Sequence, residues 1–356
     1  AHGSAECSVD ITFVPLEGIA PVQSEIVLAA GEDMKLQLTY TPANASDKRV
    51  YYQSDDPCAD VDEDGTLHAL SEGEANIRAS NGEGTVSAVF HVTVTPAPVR
   101  YRALLVSQQD YPSSVGAVRG GSEESVRALE SLLSTMRMDA DQAYAVRTEY
   151  DSSRAEFIAA IRETFERAAD QDVSLIYITC HGHYAGGMSF FEFTDGSQLS
   201  ARDLERELRR VKGRVIVLLD CCASGGAIYT EWTRGVEDAF ADGPITGSKY
   251  RVICSAAQDQ DSYRIALNES AQAGTMTTAF VRALCDGAGW SIDRGARGTM
   301  GADLNYDGGV SFAELALYLK ARVSWYLQIT SDLTGAEYAQ DVQAIPEGDP
   351  LVLFKR

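Results

Sequence analysis

The sequence predicts an all-β sandwich followed by an α/β domain built on a mostly parallel sheet. Three observations carry this. Residues 8–94 alternate apolar and polar side chains in short segments broken by turn residues, the period of half-buried strands. From about residue 101, buried apolar runs alternate with stretches of helical period, which implies parallel strands joined by helices. Between the two regimes, residues 95–99 read Thr-Pro-Ala-Pro-Val, a proline-bearing linker too short to be a long tether. The expected division is 1–96, a linker at 97–100, and 101–356.

The totals narrow the function classes. At 356 residues the chain has room for two domains. An apolar content of 45% with 23% charged residues is that of an ordinary soluble globular protein, and no apolar run approaches the ~18 residues needed to span a bilayer. A net charge of −22 would repel nucleic acid and anionic lipid and favour calcium or cationic peptides. Seven cysteines in a chain of this length do not make a disulfide scaffold. Cys7 and Cys58 could pair in an oxidising compartment, whereas Cys180, Cys221, Cys254 and Cys285 sit in apolar contexts. No cysteine or histidine ladder has zinc spacing. The start at Ala1 lacks a basic and apolar leader, so a removed signal peptide is expected.

In order, the first strand of the second domain is expected at 103–107 and a helix at 122–136, with Val126, Leu129, Leu132 and Leu133 on one face. Ser153 and Glu156 form a capping box that opens a second helix. Residues 174–183 read Ser-Leu-Ile-Tyr-Ile-Thr-Cys-His-Gly-His, and 214–225 read Arg-Val-Ile-Val-Leu-Leu-Asp-Cys-Cys-Ala-Ser-Gly. Each is an apolar run that stops abruptly in reactive side chains, as neighbouring strands of a parallel sheet would. Between them, 190–198 suits a hairpin and Ser200 the cap of a third helix to about 211. Residues 229–248, rich in glycine, aspartate and threonine, read as an exposed loop. A strand at 251–255, helices at 275–284 and 311–327, and a last strand at 350–354 complete the expectation.

A histidine and a cysteine at adjacent strand ends suggest a thiol nucleophile with its acid/base partner, His181 with Cys222. Gly182 lets the backbone approach a carbonyl closely, so its N–H and that of Cys222 are candidates for an oxyanion hole. The His-Gly order favours His181 over His183 as the base, and Cys221 is expected on the opposite face of its strand. A vicinal redox pair of Cys221 and Cys222 is disfavoured by disulfide geometry.

Two resemblances follow from these stretches. The segments at 38–45, 50–57, 59–67 and 73–79 resemble the group 2 bacterial immunoglobulin-like domain, so the first fold is expected to be an immunoglobulin-like sandwich in a secreted or cell-surface setting. The pair of strands ending in His-Gly and Asp-Cys-Cys-Ala-Ser-Gly resembles the caspase-like cysteine peptidases, within them the metacaspase branch, whose Asp-x-Cys-x-Ser-Gly pattern falls on Asp220, Cys222, Ser224 and Gly225. The second resemblance covers about the last 256 residues and implies a caspase-like α/β fold, a His181/Cys222 dyad and cleavage after arginine or lysine. Asp220 matches the acidic base of the primary specificity pocket, where it would pair with a basic side chain. Asp259 and Asp261 are candidates for a second acidic wall, with Asp259 preferred. The family's early aspartate falls on Ser125, beside Glu124, and its paired calcium-site aspartates fall on Ser200 and Ala201.

Asp60-x-Asp62-x-Asp64-Gly65 imitates the start of a calcium loop, but Ser71 stands where a glutamate is needed, so a hairpin turn is expected. Residues 303–314 fit the twelve-residue EF-hand loop at Asp303, Asn305, Asp307, Gly309, Ser311 and Glu314. Calcium is therefore expected as a structural or activating ion, and no cofactor is expected for the chemistry. Arg234-Gly235 and Lys249 offer basic sites for self-cleavage within 229–251. The function expected is a cysteine endopeptidase acting on a peptide or protein with a basic residue at the cleavage site, without nucleic-acid partners. Its surface association would run through the N-terminal module. The competing expectation is a catalytically silent scaffold that binds a partner.

Overall fold

The computed structural model describes residues 12–112, 122–138, 142–228, 249–265 and 276–355. The chain divides into two units, Ala1–Pro98 and Val99–Arg356, with the boundary inside the 97–100 linker.

The first unit consists of β1 (Gly18–Pro21), β2 (Glu25–Ala29), β3 (Asp33–Lys35), β4 (Leu38–Thr41), β5 (Tyr51–Ser54), β6 (Ala59–Val61), β7 (Thr66–Ala69), β8 (Gly73–Ser80) and β9 (Ser87–Thr95). A four-stranded sheet runs β2-β9-β8-β5, a three-stranded one β3-β7-β6, and β1 pairs with β4. Alternate residues of β8 and β9, among them Ala75, Ile77, Ala79, Phe90, Val92 and Val94, enter one core with Ile26 and Leu67, so the strict period of two in the sequence becomes one buried face.

The second unit opens with β10 (Tyr101–Ser107), α1 (Ser122–Thr135), β11 (Ala145–Tyr150), α2 (Arg154–Phe165) and β12 (Val173–Thr179). A small antiparallel sheet follows, β13 (Gly182–Ala185), β14 (Met188–Glu192) and β15 (Gln198–Ser200), then α3 (Ala201–Leu208), β16 (Arg214–Asp220) and β17 (Tyr250–Cys254). The remainder comprises β18 (Arg264–Ile265), β19 (Thr277–Thr278), α4 (Ala279–Ala288), β20 (Trp290–Ser291), β21 (Ala296–Arg297), β22 (Gly309–Ser311), α5 (Phe312–Thr334), β23 (Gln343–Ile345) and β24 (Val352–Lys355).

The central sheet runs β11-β10-β12-β16-β17-β23, with five parallel strands and β23 antiparallel at one edge. Its strands bury both faces. Ala103, Leu105, Leu175, Tyr177, Ile216 and Leu218 face α1, α4 and α5. Leu104, Val106, Ile176, Ile178, Val217 and Leu219 face α2 and α3. The capping box of Ser153 and Glu156 opens α2, and Ser200 caps α3 by accepting the Asp203 N–H. The strand expected at 350–354 is present as β24 and pairs with β22, while the edge of the central sheet is taken by β23. One sequence expectation changes. The helix expected to end near 327 continues to Thr334, where Gly335 closes it in the left-handed region at φ 72°.

A buried ion pair fixes the start of the sheet. Asp172 accepts from Arg102 Nη1 at 2.7 Å and from the N–H groups of Arg100 at 2.9 Å and Ala169 at 3.0 Å. Burial pushes its carboxyl up, but Arg102 and the two N–H groups prevail and hold it below the usual range. A depressed folded value means that its stabilisation is present above about pH 4 and lost as the pH falls through that depressed value. Asp172→Asn leaves the guanidinium with a weaker acceptor in a buried setting and is expected to cost about 3 kcal/mol, read as a lower unfolding temperature of the second unit.

Candidate functional site

The site lies where β12 and β16 end. Their parallel register closes with Thr179 opposite Asp220. His181 and Cys222 each stand two residues beyond that last pair, in the loops that leave the two strands. The His181 N–H donates to the Tyr111 hydroxyl at 2.9 Å, and the two rings lie 4.5 Å apart. Tyr111 in turn donates to the Glu192 carbonyl at 2.8 Å, which ties the histidine loop to the small sheet. His183 lies 3.0 Å from Glu192 Oε1 and stacks on Phe190, a placement that occupies its ring away from the sulfur.

Gly182 presses on the cysteine loop. A Cβ at this position would meet the Cys222 carbonyl oxygen at 2.5 Å and Cys221 Sγ at 3.1 Å, so only glycine allows the two strand exits to lie this close. After Cys222 the chain turns through Ala223 at φ 57°, a left-handed conformation uncommon outside glycine. The turn is clamped from the end of β17: the Ala223 N–H reaches the Gln260 carbonyl at 2.7 Å and the Gly225 N–H the Ala256 carbonyl at 2.9 Å. A Cβ on Gly225 would stand 2.9 Å from that same oxygen.

Asp220 is only 2% exposed, and three hydroxyls surround it. Tyr177 donates at 2.8 Å, Ser262 at 2.9 Å, and Thr278 to the same oxygen as Tyr177. Burial drives its carboxyl upward while these donors oppose the shift. Burial, then the charge of Asp220, pushes the Tyr177 hydroxyl well above its ordinary value. Ser125 belongs to the same cluster, accepting the Thr278 N–H at 3.2 Å.

The thiol of Cys222 accepts the Ser262 N–H at 3.4 Å. Burial, and next to it the Asp261 carboxylate that the thiol faces, push it up to about 11. Asp261 is therefore the acidic residue at the sulfur. Asp259, preferred on sequence, is exposed, as is Asp261, and both line a surface cavity of 650 Å³ with Gln328, Glu337 and Tyr338.

Sequence reasoning missed two residues. Gln340, 2% exposed, bonds the Ser255 carbonyl at 2.8 Å and accepts the Tyr263 N–H at 2.9 Å, bracing the segment that touches Cys222. Arg264 follows Ser262 by two residues, pairs with Thr278 across β18 and β19, and donates to Ser122 Oγ at 2.8 Å. Its guanidinium lies within the fields of Asp220 and Cys222, burial lowers its affinity for the proton, and its buried Nε has no partner among the described residues. The one sequence signal for Arg264 was its place in a short polar run after a buried strand.

Comparison with known proteins adds a family for the first unit. The model of the bacterial Ig-like domain (group 2) matches residues 17–99. These residues are a group 2 bacterial immunoglobulin-like domain. The chain is 36% identical over 98 residues to an A type blood N-acetyl-alpha-D-galactosamine deacetylase of Flavonifractor plautii, and 36% over 86 residues to an alpha-L-arabinofuranosidase of Bifidobacterium longum subsp. longum. These matches take in 27% and 24% of the chain but only 12% and 8% of the two enzymes, so the chain spans about a tenth of the length of these relatives. Among solved structures, caspase-1 of Spodoptera frugiperda aligns with a TM-score of 0.49 at 14% identity, over 72% of this chain and 89% of that one. A Geobacter sulfurreducens protein aligns with a TM-score of 0.45 at 16% identity, over 70% and 94%.

Within the immunoglobulin-like domain, the acidic run at 60–65 is a hairpin turn between β6 and β7, as its spacing predicts. The Gly65 N–H meets the Asp62 carbonyl at 2.8 Å, Asp64 pairs with Lys35 at 2.8 Å, and Asp62 with His68 at 3.0 Å. Cys58 of this domain is a free, buried thiol, and Cys7 lies outside the described residues.

At 303–314 the loop has the turn an EF-hand needs, with Gly308 at φ 86°. The Asp307 N–H donates to Asp303 Oδ1 at 3.1 Å and to Asn305 Oδ1 at 2.9 Å, and the Gly309 N–H to Asp307 Oδ1 at 2.8 Å. Glu314 closes a capping box on Ser311 and accepts the N–H groups of Leu304 and Asn305. Among the described residues no three His, Cys, Asp or Glu side chains are gathered as a metal would require. No helix leads into the loop; the β20–β21 hairpin precedes it.

The raised thiol has a definite pH signature. Its folded value lies above the ordinary 9.0, so the stability it contributes is present below about pH 9 and lost as the pH rises through 11. Removing the facing charge by Asp261→Asn should move the onset of Cys222 alkylation by iodoacetamide to lower pH, followed by mass spectrometry. An unchanged profile would show that Asp261 does not act on the sulfur.

Proposed function

We propose that the chain is a cysteine endopeptidase with the dyad His181 and Cys222. The observation that supports it most is the close approach of the two strand exits: the base and the thiol each follow the last opposed pair by two residues, and their loops meet at a contact that only Gly182 permits. His181 takes the Cys222 proton as the sulfur attacks the peptide carbonyl carbon. The N–H groups of Gly182 and Cys222 are the donors for the oxyanion. The imidazolium then protonates the leaving amine, and a water activated by His181 hydrolyses the thioester. Because burial and Asp261 both hold the free thiol protonated, the proton transfer has to accompany substrate binding.

For the residue before the cleaved bond, our reading is arginine or lysine, supported by the negative charge of Asp220 and Asp261 around the thiol, with Asp259 further out. Arg264 favours a second reading. A partly buried guanidinium beside Cys222, whose Nε has no partner among the described residues, suits a substrate carboxylate, and three hydroxyls already take most of the acceptor sites of Asp220. Self-cleavage belongs to the first reading; Arg234 and Gly235 lie outside the described residues, and Lys249 at the edge of that segment bonds the Arg209 carbonyl. A secreted or surface setting is proposed from the immunoglobulin-like domain.

The test is hydrolysis of matched fluorogenic peptides carrying arginine, lysine or aspartate at the cleavage position. Cys222→Ala is expected to lower turnover by about 10³-fold or more, and His181→Ala by about 10²- to 10⁴-fold. Preference for aspartate selects the Arg264 reading, and no thiol-dependent turnover on any peptide selects a silent scaffold that binds a partner. Mass analysis of wild type beside Cys222→Ala tests self-cleavage, for which an intact wild-type chain under active conditions is the contrary result.

Calcium is proposed at 303–314 as a brace for α5, apart from the chemistry. Binding requires Glu314 to turn from its cap toward the loop. Added calcium should then raise the unfolding temperature of wild type and leave that of Asp303→Ala unchanged; equal responses would exclude this loop.

A further inference from the structure

The same register that matches His181 with Cys222 also matches the residues between. One step past the Thr179 and Asp220 pair that closes the register come Cys180, just after β12, and Cys221, just after β16. Opposed residues of a parallel pair project to one side, and both cysteines continue the α2 and α3 face, Cys221 inside its core and Cys180 packed against it. The Cys180 thiol, ahead of burial, pushes the Cys221 thiol well above its ordinary value, as a close neighbour does, and the empty Cβ position of Gly182 lies 3.1 Å from Cys221 Sγ. Adjacent strands lie roughly 4.8 Å apart, within the Cα separation of about 4.4–6.8 Å that a disulfide bridges. Both cysteines are free thiols in this structure.

We propose that Cys180 and Cys221 form a disulfide on exposure to a small-molecule disulfide such as oxidised glutathione, stapling the two strand ends beside the dyad. Cys180 is the half-exposed partner and Cys221 the buried one, which sets the order of steps. The Cys180 thiolate attacks one sulfur of the oxidant, whose S–S bond breaks to leave a mixed disulfide and one released thiol. The Cys221 thiolate then attacks Cys180 Sγ and expels the second thiol. Two cysteine S–H groups are oxidised to one S–S bond, and one small-molecule disulfide is reduced to two thiols. Cys222 is outside the core that holds Cys221 and packs against Cys180. Cys254, in the same core as Cys221, stands opposite Leu219 instead.

The experiment uses the full chain carrying Cys222→Ala, so that the peptide containing 221 holds one thiol. It is incubated with oxidised glutathione and mapped by mass spectrometry without reduction. The expected product joins the Cys180 and Cys221 peptides, lighter by two hydrogens than the separate thiols, with loss of iodoacetamide labelling at both positions. Oxidation should also raise the unfolding temperature of this protein but not of a Cys180→Ser version. A link to Cys254, a lasting glutathione adduct on Cys180 alone, or full labelling of both thiols would overturn the proposal. None of these readouts needs peptidase activity, so they stand or fall apart from the dyad.

Discussion

The pairing of β12 with β16 is the constraint on which the rest of this site depends. Seven residues of each strand align in parallel, from Val173 with Arg214 to Thr179 with Asp220. Because side chains alternate across a sheet, this one register assigns each residue along the two strands to a side. Tyr177 and Leu218 go to one face, Ile178 and Leu219 to the other, and the two strands deliver Asp220 and the loops of His181 and Cys222 to one edge. Helices cover both faces, so neither set can exchange with solvent-facing residues without disturbing a core.

That arrangement sets an electrostatic problem at the strand ends. An enclosed carboxylate, a buried tyrosine hydroxyl and a thiol share a small volume. Asp220 is tolerated there because three hydroxyls donate to it, and each of those hydroxyls is placed by a different element: Tyr177 by β12, Ser262 by the segment after β17, Thr278 by the cap of α4. The carboxylate is thus a junction where three separate stretches meet. The cost appears at Cys222, whose thiol is pushed up by burial and by Asp261. Such a thiol is inert at rest, and reactivity has to come from a base brought against it.

Much of this was legible in the sequence. The two apolar runs ending at His181 and Cys222 specified buried neighbouring strands, and the capping signals at Ser153 and Ser200 placed two helices correctly. The period of two in residues 73–94 marked the immunoglobulin-like core. What the sequence hid has physical reasons. Residues 343–345 are too short to show a period, so β23 could not be told from a loop. Glu314 satisfies two patterns at once, the last ligand of an EF-hand loop and the third residue of a capping box, and only coordinates show which hydrogen bonds it makes. Arg264 and Gln340 act through contacts with residues distant in sequence, and no local spacing announces them. Between Asp259 and Asp261 a difference of two residues decides which carboxylate meets the sulfur.

The adjacency of Cys221 and Cys222 has a consequence for how this fold could misassemble. A slip of β16 by one residue would put Cys221 in the place of Cys222, so the proposed dyad would still have a thiol to offer His181. Leu219 would then stand where Asp220 now does, and the hydroxyls of Tyr177 and Thr278 would be buried with no acceptor. Two neighbouring thiols make the chemistry nearly indifferent to such an error, while the hydroxyls do not tolerate it. Proofreading of the strand alignment therefore falls to the oxygen atoms around one carboxylate.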